Sequence, residues 1–305
     1  MSQPAPSAKA FPADRFILDC RGRPLDCRPG QAVPVMGILN VTPDSFSDGG
    51  LYLAPDAALR RVEEMLEEGA AIIDVGGASS RPHGKVYGEG AQPLTTDAEK
   101  ARVVPIIEAV ADRFPEALLS IDTYNSEVAH AALEAGAHIV NDITGLRYRP
   151  ETAAVAAAFG APLIVMHSLG APGEMPHAHR YNDVVEDVKA SLDASVRRAE
   201  EAGVKHIVTD PGFGFGKTPR ENLRLIDEVD ALLALGRPVL VGISRKSTIG
   251  AILGTPGAPA PIEDRLYGTL GATAVAVLRG ATLVRTHDIR PTAEMLRIIN
   301  AMASR

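Results

Sequence analysis

The sequence has little of what disulfide-rich secreted proteins and membrane proteins need. Its only cysteines are Cys20 and Cys27, too few for a disulfide framework and not spaced as a CxxC pair. We therefore expect a reduced, cytoplasmic protein, with a local bridge between these two thiols as the alternative. Residues 1–15 contain no apolar run, so no secretory signal is expected. No stretch approaches the roughly 18 consecutive apolar residues of a membrane span.

Tryptophan is absent, and aromatic residues together make up only 4% of the 305 residues. The core must therefore consist mainly of Ala, Val, Leu and Ile side chains, which suit closely packed layers of helix on sheet. Basic residues are outnumbered by acidic ones, which gives a net charge of -7. Nucleic acid is not an expected partner because no basic field is available, so an anionic ligand needs a local cluster of donors.

Short apolar runs alternate with longer segments of helical period from Val33 onward, a pattern typical of repeated βα units. Most of the runs are nearly continuous in Ile, Val and Leu, as expected for parallel strands that are buried on both faces. Eight strands are predicted, at residues 35–39, 71–75, 118–121, 138–140, 163–166, 206–209, 239–242 and 282–284. Helices are predicted at 58–68, 99–112, 127–135, 184–201, 221–234 and 266–278.

A glycine closes each of six helical segments, where a left-handed C-terminal cap is usual. These residues are Gly69, Gly136, Gly160, Gly203, Gly236 and Gly280. This repetition, and the absence of GxGxxG after the first strand, favour a closed (β/α)8 TIM barrel over a doubly wound open sheet. We predict a flexible N-terminus over residues 1–14 and a single barrel domain over 15–305. A short N-terminal β-hairpin around Arg21 and Gly22 is expected to plug the bottom of the barrel.

Polar residues follow most of the predicted strands, at the end of the barrel that carries function in this fold. Any one of them could simply cap a helix or pair with a neighbour. A group of seven favours a site, because buried charges cost several kcal/mol each unless they are paired. The seven residues are Asn40, Asp122, Asn141, Asp210, Lys246, Arg285 and His287.

The residue types indicate two halves of one site. Donors suited to a phosphate or diphosphate come from Arg285 and His287, with Asn40, Ser80 and Arg81. The amide oxygen of Asn40 can also bind a divalent cation. Acceptors suited to the ring N–H and amino groups of a heterocycle come from Asp122, Asn141 and Asp210.

Two other features have simpler interpretations. Residues 212–218 read GFGFGKT, but a phosphate-binding P-loop ending at Thr218 needs glycine where Pro211 stands, so an ordinary loop is expected. His167 follows the fifth strand and either lines the site or caps a helix. No Ser-His-Asp or Cys-His set is evident, which disfavours covalent acyl chemistry.

Three motifs resemble those of the dihydropteroate synthases of bacterial folate biosynthesis, the pterin-binding barrels. They are GILNVTPDSFSDGG at 37–50, DPGFGFGK at 210–217 and SRKS at 244–247. The resemblance covers essentially the whole barrel and implies joining of para-aminobenzoate to (7,8-dihydropterin-6-yl)methyl diphosphate with Mg²⁺. The products are 7,8-dihydropteroate and pyrophosphate. Since the site must stabilise the departing diphosphate and the cationic methylene left on the pterin, we infer an SN1-like displacement. Sulfonamides are expected to compete for the para-aminobenzoate site.

The resemblance also implies a role for each residue that matches the family's motifs. The pterin is expected to contact Asp122, Asn141, Asp210, Lys246 and Arg285. The diphosphate is expected to contact Asn40, Ser80, Arg285, Thr286 and His287, with the metal on Asn40. Para-aminobenzoate is expected beside Phe46, Arg81, Pro82 and Ser247. Catalysis is assigned to Lys246, Arg285, His287 and Asp122, and a homodimer through the late helices is implied.

Two loops depart from the family pattern. The second usually reads GGESTRPG, whereas residues 76–83 read GGASSRPH, with Ala78 replacing the glutamate. We expect this change to affect loop geometry and sulfonamide affinity more than the reaction. After the fifth strand, Ser168 replaces the second methionine of a Met-His-Met pattern. The alternative functions are a pterin-binding methyltransferase that acts with a corrinoid protein and a pterin-binding paralogue without catalysis.

Overall fold

A computed structural model describes residues 13–41, 55–78, 94–170 and 181–303 of the chain. Most of the predicted flexible segment 1–14 lies outside these residues. The described part begins with a one-turn helix, α1 (Ala13–Phe16), and an antiparallel hairpin of β1 (Ile17–Asp19) and β2 (Pro24–Asp26). The hairpin turns at Arg21 and Gly22, both with positive φ, so the predicted N-terminal hairpin is confirmed.

Eight parallel strands form the barrel, which confirms the predicted fold. They are β3 (Val35–Asn40), β4 (Ile72–Gly76), β5 (Leu118–Asp122), β6 (Ile139–Asp142), β7 (Leu163–Met166), β8 (Ile207–Asp210), β9 (Leu240–Val241) and β10 (Leu283–Thr286). The order around the sheet is β8-β7-β6-β5-β4-β3-β10-β9. A parallel bridge between Thr209 and Val239 joins the last pair and completes the ring.

Helices surround the strands. They are α2 (Pro55–Glu67), α3 (Thr96–Arg113), α4 (Ser126–Glu134), α5 (Glu151–Ala158), α6 (Val184–Glu201), α7 (Pro219–Asp227), α8 (Asp230–Leu233), α9 (Ser247–Leu253), α10 (Leu266–Leu278) and α11 (Ile289–Ala303). A 3-10 turn, Ile262–Arg265, precedes α10. The single helix predicted at 221–234 is wrong, because the chain breaks at Glu228 into α7 and α8. No described helix is long and apolar enough to cross a bilayer.

The six predicted cap glycines all have positive φ, between 64° and 115°. This conformation costs an L-residue roughly 1–2 kcal/mol, so glycine is the residue that ends these helices without strain. The prediction of a repeated helix-ending unit is therefore confirmed at each position.

The hairpin closes the bottom of the barrel. Leu18, Cys20, Leu25 and Cys27 are buried in one cluster with a residue from the first half of each barrel strand. Those partners are Met36, Ile72, Leu118, Ile139, Ile164, Val208, Leu240 and Leu283. Both cysteines are free thiols, and burial raises the pKa of Cys20 to about 12. With the bottom filled by apolar side chains, the polar strand ends lie at the opposite face.

Candidate active site

The strand register places three of the predicted site residues side by side. Asn40 pairs with Gly76, Gly76 with Asp122, and Asp122 with Asn141. A Cβ built on Gly76 would lie 3.8 Å from Asn40 Oδ1 and 3.6 Å from Asp122 Cβ. The missing side chain at Gly76 therefore leaves room between Asn40 and Asp122 at the mouth of the barrel.

A buried ion network lies just inside that mouth. Arg285 Nε donates to Asp74 Oδ2 at 2.6 Å, and Arg285 Nη2 donates to Asp122 Oδ2 at 2.7 Å. Asn141 Nδ2 also donates to Asp74 Oδ2, at 3.1 Å. Burial would lower the pKa of Arg285, but Asp74 and Asp122 more than offset it, so its pKa is raised. The guanidinium therefore stays charged and is fixed from two sides.

Asp74 was missed by the sequence analysis. It lies in the middle of β4 and is fully buried, with the apolar residues Ile73 and Val75 on either side. Its Oδ1 has no hydrogen-bond partner among the described residues, so one acceptor of the carboxylate is still available. The available signal was a charged residue inside an apolar run, which has to be paired because an isolated buried charge is too costly.

Burial sets the protonation of Asp122. Desolvation raises its pKa to about 7, and the negative charges of Asp74, Glu99 and Asp142 act in the same direction. Arg285 opposes this shift. Burial therefore favours the protonated carboxyl group of Asp122, whereas the ion pair with Arg285 favours the carboxylate that accepts from a heterocycle.

The second half of the site is the loop after β8. Asp210 is buried, and its Oδ1 accepts the backbone N–H of Gly212 at 2.7 Å. Burial raises the pKa of Asp210, and Lys246 is the strongest opposing charge. Lys246 Nζ donates to the carbonyl of Phe213 and lies 4.3 Å from the ring centroid of Phe215. Burial lowers the pKa of Lys246 to about 7, with Asp210 opposing.

Lys217 shapes the same loop. Its Nζ donates to the carbonyls of Gly212 at 2.9 Å and Phe215 at 3.1 Å. Thr218 caps α7 through a reciprocal pair of bonds with Glu221. The lysine thus holds its own loop together, in agreement with the interpretation of GFGFGKT as an ordinary loop.

His287 lies at the end of β10 beside Ser244. Ser244 Oγ is 2.9 Å from His287 Nδ1 and accepts the His287 backbone N–H at 3.2 Å. Burial lowers the pKa of His287 to about 4, with added repulsion from Arg285, Arg245 and Lys246 and a small opposing effect of Asp288. The imidazole is therefore neutral at pH 7.

Comparison with known proteins identifies the family of this barrel. The family described as "Pterin binding enzyme" matches residues 36–287. Dihydropteroate synthase of Bacillus subtilis is 41% identical over 273 residues, which cover 89% of each chain. The chain belongs to the pterin-binding enzyme family, among the dihydropteroate synthases. The matched region begins in β3 and ends at His287, so it contains every site residue described above.

Solved structures of the family agree in fold. A dihydropteroate synthase of Xanthomonas albilineans, solved with 4-aminobenzoic acid, has a TM-score of 0.84 at 38% identity and covers 95% of this chain and 99% of that one. The enzyme of Thermus thermophilus in complex with 6HMPPP has a TM-score of 0.76 at 40% identity, over 94% and 99% of the two chains. These relatives extend the barrel similarity to nearly the whole chain.

The remaining predicted site residues either lie outside the described residues or lie in α9 and β10. Phe46, Ser80, Arg81 and Pro82 lie outside the described residues. Ser247 is the first residue of α9, directly after Lys246. Thr286 is 1% exposed, and its hydroxyl accepts from the backbone N–H of Asp288 at 3.1 Å, so the structure turns this side chain into the protein.

The sequence predicts that His167 either lines the site or caps a helix, and the structure shows a further role for its backbone. Its backbone N–H donates to the Asp210 carbonyl at 2.9 Å, and its buried ring lies 6.0 Å from that of Tyr181. Its own carbonyl faces Gly212, where a Cβ would come within 1.9 Å of the oxygen. His167 therefore supports the Asp210 loop through its backbone.

Proposed function

We propose that this enzyme condenses (7,8-dihydropterin-6-yl)methyl diphosphate with para-aminobenzoate to give 7,8-dihydropteroate and pyrophosphate. The observation that carries the proposal is the fixed Arg285 guanidinium between Asp74 and Asp122, next to Asp210 and Lys246. This arrangement offers acceptors for a heterocycle and cations for an anion within one barrel mouth. The ligands named for the Xanthomonas and Thermus relatives, 4-aminobenzoic acid and 6HMPPP, suit the two substrates.

The pterin is held by Asp122, Asn141, Asp210 and Lys246, with Arg285 alongside the ring. Carboxylates accept the ring N–H and the exocyclic amino group, while Lys246 donates to a ring acceptor. Because these groups are buried, an analogue that lacks the matching donors leaves them unpaired and is rejected by up to ~10⁴-fold. One N–H of the Asn141 amide donates to Asp74, and this bond fixes the orientation of the amide oxygen of Asn141.

The reaction breaks the bond between the pterin methylene carbon and the diphosphate oxygen, which keeps the electron pair. The lone pair of the aromatic amine then forms the new carbon–nitrogen bond, and the nitrogen loses its proton to solvent or to the departing anion. No general base has to act before attack. Arg285 and His287 stabilise the negative charge that builds on the leaving group, so preorganised electrostatics carry the rate.

Magnesium is proposed as the cofactor, with Asn40 as its protein ligand. Mg²⁺ is commonly bound by one or two protein oxygens together with substrate phosphates and water. Asn40 is exposed at the mouth, and the described residues contain no cluster of three acidic, His or Cys side chains that could hold a metal alone. The donor set therefore fits an ion that is shared with the diphosphate, whose charge it would neutralise.

The para-aminobenzoate site is proposed from the sequence motifs at Phe46, Arg81, Pro82 and Ser247. Ser247 follows Lys246 directly, which supports a para-aminobenzoate site next to the pterin pocket. Sulfonamides are expected to compete there. The replacement at Ala78 is expected to alter their affinity, since this residue precedes Arg81 by three positions in the same sequence motif.

A homodimer is proposed through the late helices. The neighbouring helices α10 and α11 expose several apolar side chains: Tyr267 at 84%, Ile298 at 66%, Met302 at 58% and Leu278 at 54%. Exposed apolar patches of this kind mark interaction surfaces. Light scattering after size exclusion should give the mass of two chains, and a monomer at every concentration would contradict the proposal.

The two buried free thiols support a cytoplasmic location.

The test of the reaction is pyrophosphate release from the pterin diphosphate, with and without para-aminobenzoate and Mg²⁺. Release should require both substrates and should be restored by Mg²⁺ after chelation. Calorimetry on the same sample measures pterin diphosphate binding separately. Binding without pyrophosphate release would contradict the synthase and favour a pterin-binding paralogue without catalysis.

A further inference from the structure

The Ser244 hydroxyl contacts His287 twice. It accepts the backbone N–H of His287 at 3.2 Å and lies 2.9 Å from the ring atom Nδ1. Ser244 is 7% exposed, so water competes little for these bonds. The residue follows β9, and His287 follows the neighbouring strand β10, so paired barrel strands bring the two together.

The proton count of this pair favours one tautomer. A hydroxyl has one proton, and the bond from the His287 backbone already uses Ser244 Oγ as an acceptor. Within the described part of the chain, the other hydrogen bond of this hydroxyl is the one with Nδ1. The oxygen has a second acceptor site, so Nδ1–H could also donate to it, but the Ser244 proton would then have no partner among the described residues. Because a buried donor without a partner is costly, the favoured arrangement has Ser244 donating to Nδ1. A neutral imidazole with an unprotonated Nδ1 carries its hydrogen on Nε2.

The tautomer of His287 matters because the ring lies among charged groups and stays neutral. The side chain is half-buried beside Arg285, Arg245 and Lys246, with Asp288 as the opposing charge. Desolvation and the three cations keep the ring neutral. A neutral ring has a single N–H. With the proton on Nε2, that atom donates to an anion, whereas with the proton on Nδ1 the same atom presents a lone pair and repels it.

We propose that Ser244 is a positioning residue that holds His287 in the Nε2–H tautomer, so that a neutral histidine presents one directed donor to the departing diphosphate. The inference rests on the proposed function for the identity of the anion. The tautomer itself is a property of the free protein. Cations at this site already supply net charge, and the Ser244–His287 pair adds a hydrogen bond of fixed direction.

The tautomer can be read by NMR on ligand-free protein with ¹⁵N-labelled histidine. The chain has eight histidines, and the spectrum of His287→Gln identifies the His287 signals. Wild type should show one tautomer, with Nε2 protonated and Nδ1 bare. Ser244→Ala should shift the ring toward a mixture, and Ser244→Thr, which keeps a hydroxyl, should restore the single form. A wild-type ring protonated on Nδ1, or a Ser244→Ala spectrum identical to wild type, would overturn the proposal.

Kinetics supply the second readout. Ser244→Ala should lower kcat and kcat/KM together by roughly threefold to tenfold, the size of one neutral hydrogen bond, since the interaction acts on charge formed in the transition state. Ser191→Ala, the same change on the outer helix α6, is the control and should leave both constants unchanged. A rise in KM alone would contradict the assigned role.

A double-mutant cycle separates positioning from other effects of Ser244. The amide of glutamine carries its N–H donors without a tautomer, so in a His287→Gln background the Ser244→Ala change should cost almost nothing. An equal cost in both backgrounds would overturn the proposal. A wild-type protein with the expected tautomer and no pyrophosphate release would instead overturn the proposed function, which keeps the two failures distinct.

Discussion

Asp74→Asn tests whether the buried carboxylate, absent from the sequence-based site, organises the active site. The substitution keeps the volume of the side chain and removes its charge. Asp74 Oδ2 now accepts from Arg285 Nε at 2.6 Å and from Asn141 Nδ2 at 3.1 Å. An asparagine oxygen can take over both bonds, but its amino group must then stand at the position of Oδ1, which has no partner among the described residues.

The expected loss of stability follows from these contacts. Replacing the charged acceptor of Arg285 by a neutral amide oxygen costs about 1–2 kcal/mol, and a buried amide donor without a partner costs about 1–3 kcal/mol. Together they lower the free energy of unfolding by about 2–5 kcal/mol. Arg285 keeps its bond to Asp122 and can pivot on it, and a displacement of this kind lowers kcat by up to ~10²-fold. Since Asp74 raises the pKa of Asp122, the variant should also lower that pKa.

The measurements are urea unfolding and pyrophosphate release, with Asp227→Asn as the matched control. Asp227 is 62% exposed and pairs with Arg279 at 2.8 Å, so the same chemical change at an exposed ion pair should cost less than about 1 kcal/mol and leave turnover intact. If Asp74→Asn matched this control in both stability and turnover, the organising role of Asp74 would be refuted.

Three further predictions concern other parts of the site. Arg285→Ala should lower kcat by at least about 10²-fold while circular dichroism shows a folded protein, and near-normal turnover would remove its role in stabilising the leaving group. The pKa of His287 falls from 6.5 to about 4 on folding, so stability should be lost as pH falls from 6.5 toward 4, because the unfolded chain binds the proton first. Over this pH range, urea unfolding of His287→Gln should show a smaller loss of unfolding free energy than wild type, with a difference of up to about 1.4 kcal/mol per pH unit. An equal loss in the two proteins would contradict burial of the neutral ring. Gly212→Ala should destabilise more than Gly160→Ala, since both glycines have φ near +65° but only Gly212 would bring its Cβ against the His167 carbonyl; equal thermal shifts would contradict this.

The sequence could predict the barrel because its signals are local. Apolar runs, helical period and cap glycines each reflect a few neighbouring residues, and they located the strands to within one or two positions. The helix predicted at 221–234 failed because its apolar period continues through Glu228, whereas packing breaks the chain there into α7 and α8. The bounds of α5 were not predicted, because ETAAVAAA is apolar on nearly every side and has no helical period to detect.

The site was predictable only where its residues follow strands. Asn40, Asp122 and Asp210 are the last residues of their strands, and Asn141 is the last but one of β6. The register brings Asn40, Asp122 and Asn141 together. Asp74 lies within a strand, so it was taken as part of an apolar run. Its importance arises from Arg285, at the far end of the sequence, and such partnerships depend on the closed ring.

The inward turn of Thr286 and the bond between Ser244 and His287 are also invisible to sequence patterns. Both depend on the direction of a side chain at a strand end. Rotation about one side-chain bond decides whether the group contacts a ligand or makes a hydrogen bond within the protein. The protonation of Asp122 and Lys246 likewise depends on burial and on neighbours from several strands.

The apolar plug at the bottom of the barrel also affects the order in which contacts form during synthesis of the chain. Leu18 and Leu25 leave the ribosome early, but their cluster includes Leu240 and Leu283 from the last two strands. The hairpin therefore has no complete partner surface until almost the whole chain has been made. Contacts between such distant segments form slowly, since the loop between them must be closed first. Until then the apolar side chains of the hairpin lack most of their native partners, which leaves the incomplete chain prone to aggregation.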